Sequence, residues 1–110
     1  MELEIGIKSY LEEAFKRLNQ ALDLEALYLF GSYARGTADQ QSDLDLLVVA
    51  NTQLPPLTRI GLVLELLADA PLPIDALVLT PEELKERREL PFLKEILEES
   101  IPFRRQPTLK

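Results

Sequence analysis

The residue types that could do chemistry fall in one loop-and-strand stretch and one later outlier. Asp43 and Asp45 stand two positions apart at the head of the apolar run 44–50. Side chains alternate across a strand, so the two carboxylates share one face while Leu44 and Leu46 point to the other. Two like charges about 4 Å apart repel by roughly 4 kcal/mol near a protein surface, so the pairing needs a reason. A divalent cation supplies one: Mg²⁺ takes hard oxygen ligands, one or two of them protein carboxylates, and completes its shell with water and substrate phosphates. Gly31 and Ser32 close the apolar run 26–30 and are separated from Asp43 by ten residues. Small residues there let backbone amides approach an anionic ligand. Ser32 also reads as the N-cap of a short helix over 33–37, which would offer further free amides. Arg35 is either a phosphate contact or half of a surface ion pair. Asp75 is the one acid in the apolar run 74–79. Buried alone it would need a proton or a partner, and setting its strand beside the second one brings it to Asp43 and Asp45.

These residues carry a family resemblance. Gly31-Ser32-Tyr33-Ala34-Arg35-Gly36, the ten-residue spacing and Ser42-Asp43-Leu44-Asp45-Leu46 resemble the signature of the DNA polymerase beta nucleotidyltransferase superfamily, and within it the minimal nucleotidyltransferases. Those are small proteins often encoded beside a HEPN-domain toxin, for which they serve as antitoxin. The resemblance implies that Asp43, Asp45 and Asp75 are the catalytic acids and hold two Mg²⁺ ions. It also implies that Gly31, Ser32 and Arg35 bind the phosphates of ATP, Ser32 contacting them directly. The implied reaction is transfer of AMP to a hydroxyl, a tyrosine of the HEPN partner, whose ribonuclease activity is thereby silenced. The rival implication is a non-catalytic antitoxin that neutralises its partner by binding alone. A further alternative is an autonomous enzyme acting on a small molecule.

Composition narrows the chemistry independently. The 110 residues fit one domain able to bury about 60 to 70% of its unfolded surface. Cysteine and histidine are both absent, which removes disulfides, thiolate nucleophiles, imidazole metal sites and any Ser-His-Asp triad. The formal charge of -7 opposes nonspecific binding to nucleic acid, so direct nucleic-acid contact is not expected. No apolar stretch has the length to span a bilayer and the start Met1-Glu2-Leu3-Glu4 lacks the basic opening of a secretion signal, so a cytoplasmic protein with no membrane association is expected.

The elements that must position these side chains follow from periodicity. Ile7, Leu11, Ala14, Phe15, Leu18 and Leu22 recur at helical spacing over 5–21. Asp23 and Glu25 read as a connection into a central strand over 26–30, and 44–50 forms the next strand, ended by the polar, proline-containing segment 51–56. A second long helix is expected over 57–70, almost wholly buried on account of its leucines. Residues 74–79 form a third strand. Thr80-Pro81-Glu82-Glu83 is a helix start, with Thr80 as N-cap, Pro81 at the first position and Glu83 closing a capping box, and a helix over 81–89 follows. Pro91 breaks it, Phe92, Ile96 and Leu97 carry a further helical segment to about 100, and 101–103 add a short edge strand. The last ten residues hold Arg104, Arg105 and Lys110 and no acid. The expected organisation is a domain over 1–103 and a basic, flexible tail over 104–110 suited to an acidic partner. The fold class is α/β, a small mixed sheet with flanking helices mainly on one face, of the polymerase beta-like type.

Overall fold

The computed structural model describes residues 5–39 and 41–105. Helix α1 (Ile5–Ala21) is followed by β1 (Asp23–Phe30), the one-turn helix α2 (Ser32–Arg35) and β2 (Leu44–Asn51). Then come α3 (Pro56–Leu66), β3 (Ile74–Leu79), α4 (Pro81–Arg87), α5 (Pro91–Glu99) and β4 (Ile101–Arg105).

The four strands form one sheet in the order β3-β2-β1-β4. β1 runs antiparallel to both β2 and β4, whereas β2 and β3 are parallel. β2 is therefore internal, and it is the most apolar strand, with Leu44 and the run Leu46 to Ala50 all buried. The parallel pairing needs a crossover, and α3 supplies it.

Alternation along the strands divides the core into two layers. Leu44, Leu46, Val48 and Ala50 pack with Ile7, Leu11, Ala14 and Leu18 of α1 and with Val63 of α3. Leu47 and Val49 face the other way, against Leu93 and Ile96 of α5 and Leu84 of α4. Helices thus cover both faces of the sheet, two on each, rather than mainly one. The even–odd split of an apolar strand leaves a second greasy face that α4 and α5 must cover.

Several boundaries differ from the sequence expectation for identifiable reasons. β1 begins at Asp23, three residues early, because Leu24 is buried between exposed Asp23 and Glu25 and pairs with Ala50 across a bulge. α3 ends at Leu66 and is far from wholly buried: Leu57 is 83% exposed and Leu64 40%. It lies over the edge of the sheet, where only one of its faces meets β3. α4 stops at Arg87, two residues short of the expected end. Phe92 is 69% exposed, and Leu93 and Ile96 carry the packing of α5 instead. β4 runs through Arg104 and Arg105, which pair with Leu27 and Ala26, so these two residues belong to the sheet and not to a tail. The remainder of the expected tail, 106–110, lies outside the described residues. No helix among the described residues is long and apolar enough to cross a membrane.

Behind the sheet's edge, Arg59 is only 6% exposed. Its Nη1 and Nη2 donate to Glu83 at 2.7 and 3.2 Å, and its Nε donates to the Leu54 carbonyl at 2.7 Å. The same Glu83 carboxylate accepts from the Thr80 amide at 3.0 Å while Thr80 Oγ1 accepts from the Glu83 amide at 3.1 Å, which is the expected capping box. One carboxylate therefore ties α3, the end of β3 and α4 together, and Arg59 holds it below its usual pKa. Replacing Glu83 by Ala strands a nearly buried guanidinium and opens the cap, and should cost about 3 kcal/mol in urea unfolding at neutral pH. Glu83→Gln keeps part of the cap and should cost less. Because the folded-state pKa of Glu83 is depressed, its contribution is present above the ordinary value of 4.5 and fades as pH falls further.

Candidate functional site

The acids meet at one end of the sheet, where β1 ends and β2 and β3 begin. Parallel pairing sets Asp45 level with Asp75, and antiparallel pairing sets Asp45 level with Phe30, the residue before Gly31. The Leu44 amide donates to the Pro73 carbonyl at 2.8 Å, which pins the starts of β2 and β3 together. Asp43 lies just before β2. Its charge acts on Asp45, as does that of Asp75, so the three carboxylates share one electrostatic environment.

Burial is uneven among them. Asp45 is half-buried, while Asp43 and Asp75 are exposed. Asp75 is therefore not the buried lone acid that its apolar neighbours suggest. β3 is an edge strand, and Asp75, its second residue, is open to solvent between half-buried Ile74 and Ala76. Asp45 carries the strain of the cluster: desolvation first, then the charges of Asp75 and Asp43, push its pKa up to about 6, against a smaller opposing pull from Arg35. Among the described residues no three acidic side chains converge into a ready-made metal cage. The donor set still suits a hard cation, since Mg²⁺ takes one or two carboxylates and draws its other oxygens from water and phosphate. A positive ion beside Asp45 would also relieve the repulsion that raises its pKa.

Gly31 is fixed to this cluster from the other side. Its backbone has φ 76 and ψ -153, a region essentially closed to residues with a Cβ. A Cβ there would also stand 2.9 Å from Asp45 Cγ, so the turn can pass the carboxylate only as glycine. Ser32 is the first residue of α2 and not its N-cap. Gly31 takes the cap position, with no side chain to bond, because its positive φ is what starts the turn. Gly36, with φ 77, ends the helix after that single turn, and its amide donates to the Ser32 carbonyl.

The sequence reading missed one member of the site. Glu99, the last residue of α5, accepts from the Gly31 amide at 2.8 Å through Oε2 and from Arg35 Nη1 at 3.0 Å through Oε1. Arg35 thus does form an ion pair with an acid, and does so inside the candidate site. A signal for Glu99 existed. An acid in the last turn of a helix opposes the negative end of the helix dipole, so it needs donors from elsewhere in the fold.

An internal strand flanked by one parallel and one antiparallel neighbour, acids at the mouth of the sheet and a glycine turn pressed against them define the class of α/β nucleotidyl-transfer folds. Residues 8–104 match the model of the nucleotidyltransferase domain, and the chain belongs to that family. A protein of Methanocaldococcus jannaschii named as a protein adenylyltransferase is 48% identical over 46 residues, 40% of this chain and 31% of that protein. The match thus spans about a third of that relative's length. Among solved structures, a nucleotidyltransferase from Sulfolobus solfataricus superposes with a TM-score of 0.65 at 22% identity, covering 90% of this chain and 80% of that one. A toxin–antitoxin structure with AMP-PNP gives a TM-score of 0.64 at 22% identity over 86% of this chain and 73% of that one. A mutant of the toxin–antitoxin pair MntA–HpeT gives 0.62 at 25% identity, covering 86% and 72%.

Two outcomes follow from this geometry. Gly31→Ala should lose about 1 to 3 kcal/mol from the backbone alone, read by urea unfolding, with any further loss coming from displacement of Asp45. For Asp45 the folded-state pKa lies above its ordinary value of 3.8, so the native state binds the extra proton. Its favourable contribution is complete below that value and is lost as pH rises toward 6. Asp45→Asn should therefore melt above wild type at pH 8 without divalent cations, by about 1 kcal/mol given solvent screening, and lose that advantage near pH 4.

Proposed function

We propose that the protein transfers AMP from ATP to a hydroxyl, a tyrosine of a HEPN-domain toxin, and so acts as its antitoxin. The observation that carries this reading is the strand register that sets Asp45 level with Asp75 beside the Gly31 turn, within a chain of the nucleotidyltransferase domain family. The protein adenylyltransferase name of the Methanocaldococcus relative supports the donor and the protein acceptor, and the toxin–antitoxin structures support the partner class.

In this reading Asp43 and Asp45 would hold Mg²⁺ and Asp75 would complete the set for a second ion. Held there, such ions would supply charge neutralisation for the triphosphate and a lower pKa for the acceptor hydroxyl. The Gly31 amide, Ser32 and Arg35 orient the β and γ phosphates. The acceptor oxygen forms a bond to the α-phosphorus as the bond from that phosphorus to the bridging oxygen breaks. Pyrophosphate leaves with the electron pair, and the hydroxyl proton passes to solvent, which reaches the site at exposed Asp75. The chain's acidic balance, -7 overall, directs it toward a protein acceptor in preference to a nucleic acid.

The test is transfer of α-phosphate label from ATP with Mg²⁺ in a lysate of the source organism, comparing wild type with Asp75→Asn. A labelled protein band should appear with wild type and fall at least about a hundredfold with the variant. If Asp75→Asn neutralises the partner as well as wild type does, and neither labels protein, neutralisation is by binding alone and transfer is excluded.

A further inference from the structure

Leu93 and Ile96 already pack α5 into the core, so the contact between Glu99 and the Gly31–Arg35 segment is an addition to that apolar packing. It places a carboxylate with both oxygens engaged, one on the Gly31 amide and one on Arg35. Those two donors are the ones assigned above to the phosphates of the nucleotide. An oxyanion thus already occupies an oxyanion's place.

The electrostatics around that carboxylate are divided. Arg35 and the Gly31 amide favour it. Against it stand the carboxylate of Asp45, whose pKa Glu99 helps to raise, and the negative end of the α5 dipole. The side chain is 23% exposed, and its partner Arg35 is 51% exposed. Glutamate has enough rotatable bonds to swing toward solvent with no movement of α5. A charge held by two donors and opposed by its own helix and a neighbouring acid is well placed to give way to a stronger anion.

We propose that Glu99 is a displaceable stand-in for a nucleotide phosphate, competing with the triphosphate for the Gly31 amide and Arg35 and thereby setting the affinity for nucleotide. This rests on the assignment of those donors to phosphate in the nucleotidyl-transfer reading. When the ligand binds, Glu99 leaves the donors, and the charge that it brought near Asp45 leaves with it. A donor set that is free only a tenth of the time lowers the apparent affinity about tenfold, and removing the competitor restores it. Glu99 then lowers affinity for phosphate-bearing ligands alone and narrows the preference for ATP over adenosine, which has no phosphate to set against it.

Calorimetric titration of ATP with Mg²⁺ into the full chain tests this, with adenosine as the phosphate-free probe and thermal unfolding to verify folding. Glu99→Gln should bind ATP about tenfold more tightly than wild type and adenosine equally well. Glu98→Gln, which removes the same charge one residue away, should change ATP binding less than about twofold, as expected of a screened surface charge. The gain from Glu99→Gln should shrink in an Arg35→Gln background, where the shared donor is gone. If Glu99→Gln binds ATP no better than wild type, Glu99 braces the loop and the proposal fails while the nucleotidyl-transfer reading stands. A gain matched by Glu98→Gln reduces the effect to net charge and also overturns the proposal. If folded wild type and Glu99→Gln both fail to bind ATP, the nucleotidyl-transfer reading falls with it.

Discussion

The register between β2 and β3 is the constraint on which the rest of the structure depends. It is parallel, so it requires the α3 crossover, and it makes β2 an internal strand that must be apolar on both faces. That in turn calls for helices on both sides of a sheet of only four strands. The same register fixes Asp45 beside Asp75, and a one-residue slip would send Asp75 to the opposite face. Hydrophobic burial of Leu46, Leu47, Val48 and Val49 thus holds together carboxylates that would otherwise move apart. The core supplies the free energy, and the acids absorb part of it as repulsion.

The cost falls on Asp45, through burial first and the neighbouring charges of Asp75 and Asp43 second. Asp43 and Asp75 face solvent, which screens them, while Asp45 is half-buried and pressed by Gly31. Gly31 contributes twice, by adopting a backbone conformation that a side chain would forbid and by leaving the room that Asp45 occupies. The two demands fall on the same residue because the turn and the carboxylate meet at the same level of the sheet.

Much of this was legible in the sequence where a local rule decides the structure. The period of Ile7, Leu11, Ala14 and Leu18 marks α1 from Ile5 to Ala21, and the capping box at Thr80 and Glu83 marks the start of α4. The alternation rule together with the pairing of adjacent strands was enough to join Asp45 and Asp75. What escaped was set by tertiary context. Leucine content cannot say that α3 lies over a sheet edge, so the exposure of Leu57 was invisible. Asp23 and Glu25 look like a connection because both are polar, although their alternation with Leu24 is that of a strand. The apolar neighbours of Asp75 gave no hint that β3 would be an edge. Glu99 lies 68 residues from Gly31, and its place at the negative end of α5 signals a need for donors without saying which residues supply them.

That separation also orders events in time. A chain leaving the ribosome presents Asp43, Asp45 and Asp75 well before Glu99, and β4, which borders β1 on its far side, comes after both. The pairing of β1 with β2 needs nothing beyond Asn51, whereas closure by β4 joins Leu29 to Ile101 and waits until that later strand has been made. Long-range pairings of this kind form late because the loop entropy must be met before the contact rewards it. The acidic half of the site is therefore translated before the residue that fills its donors.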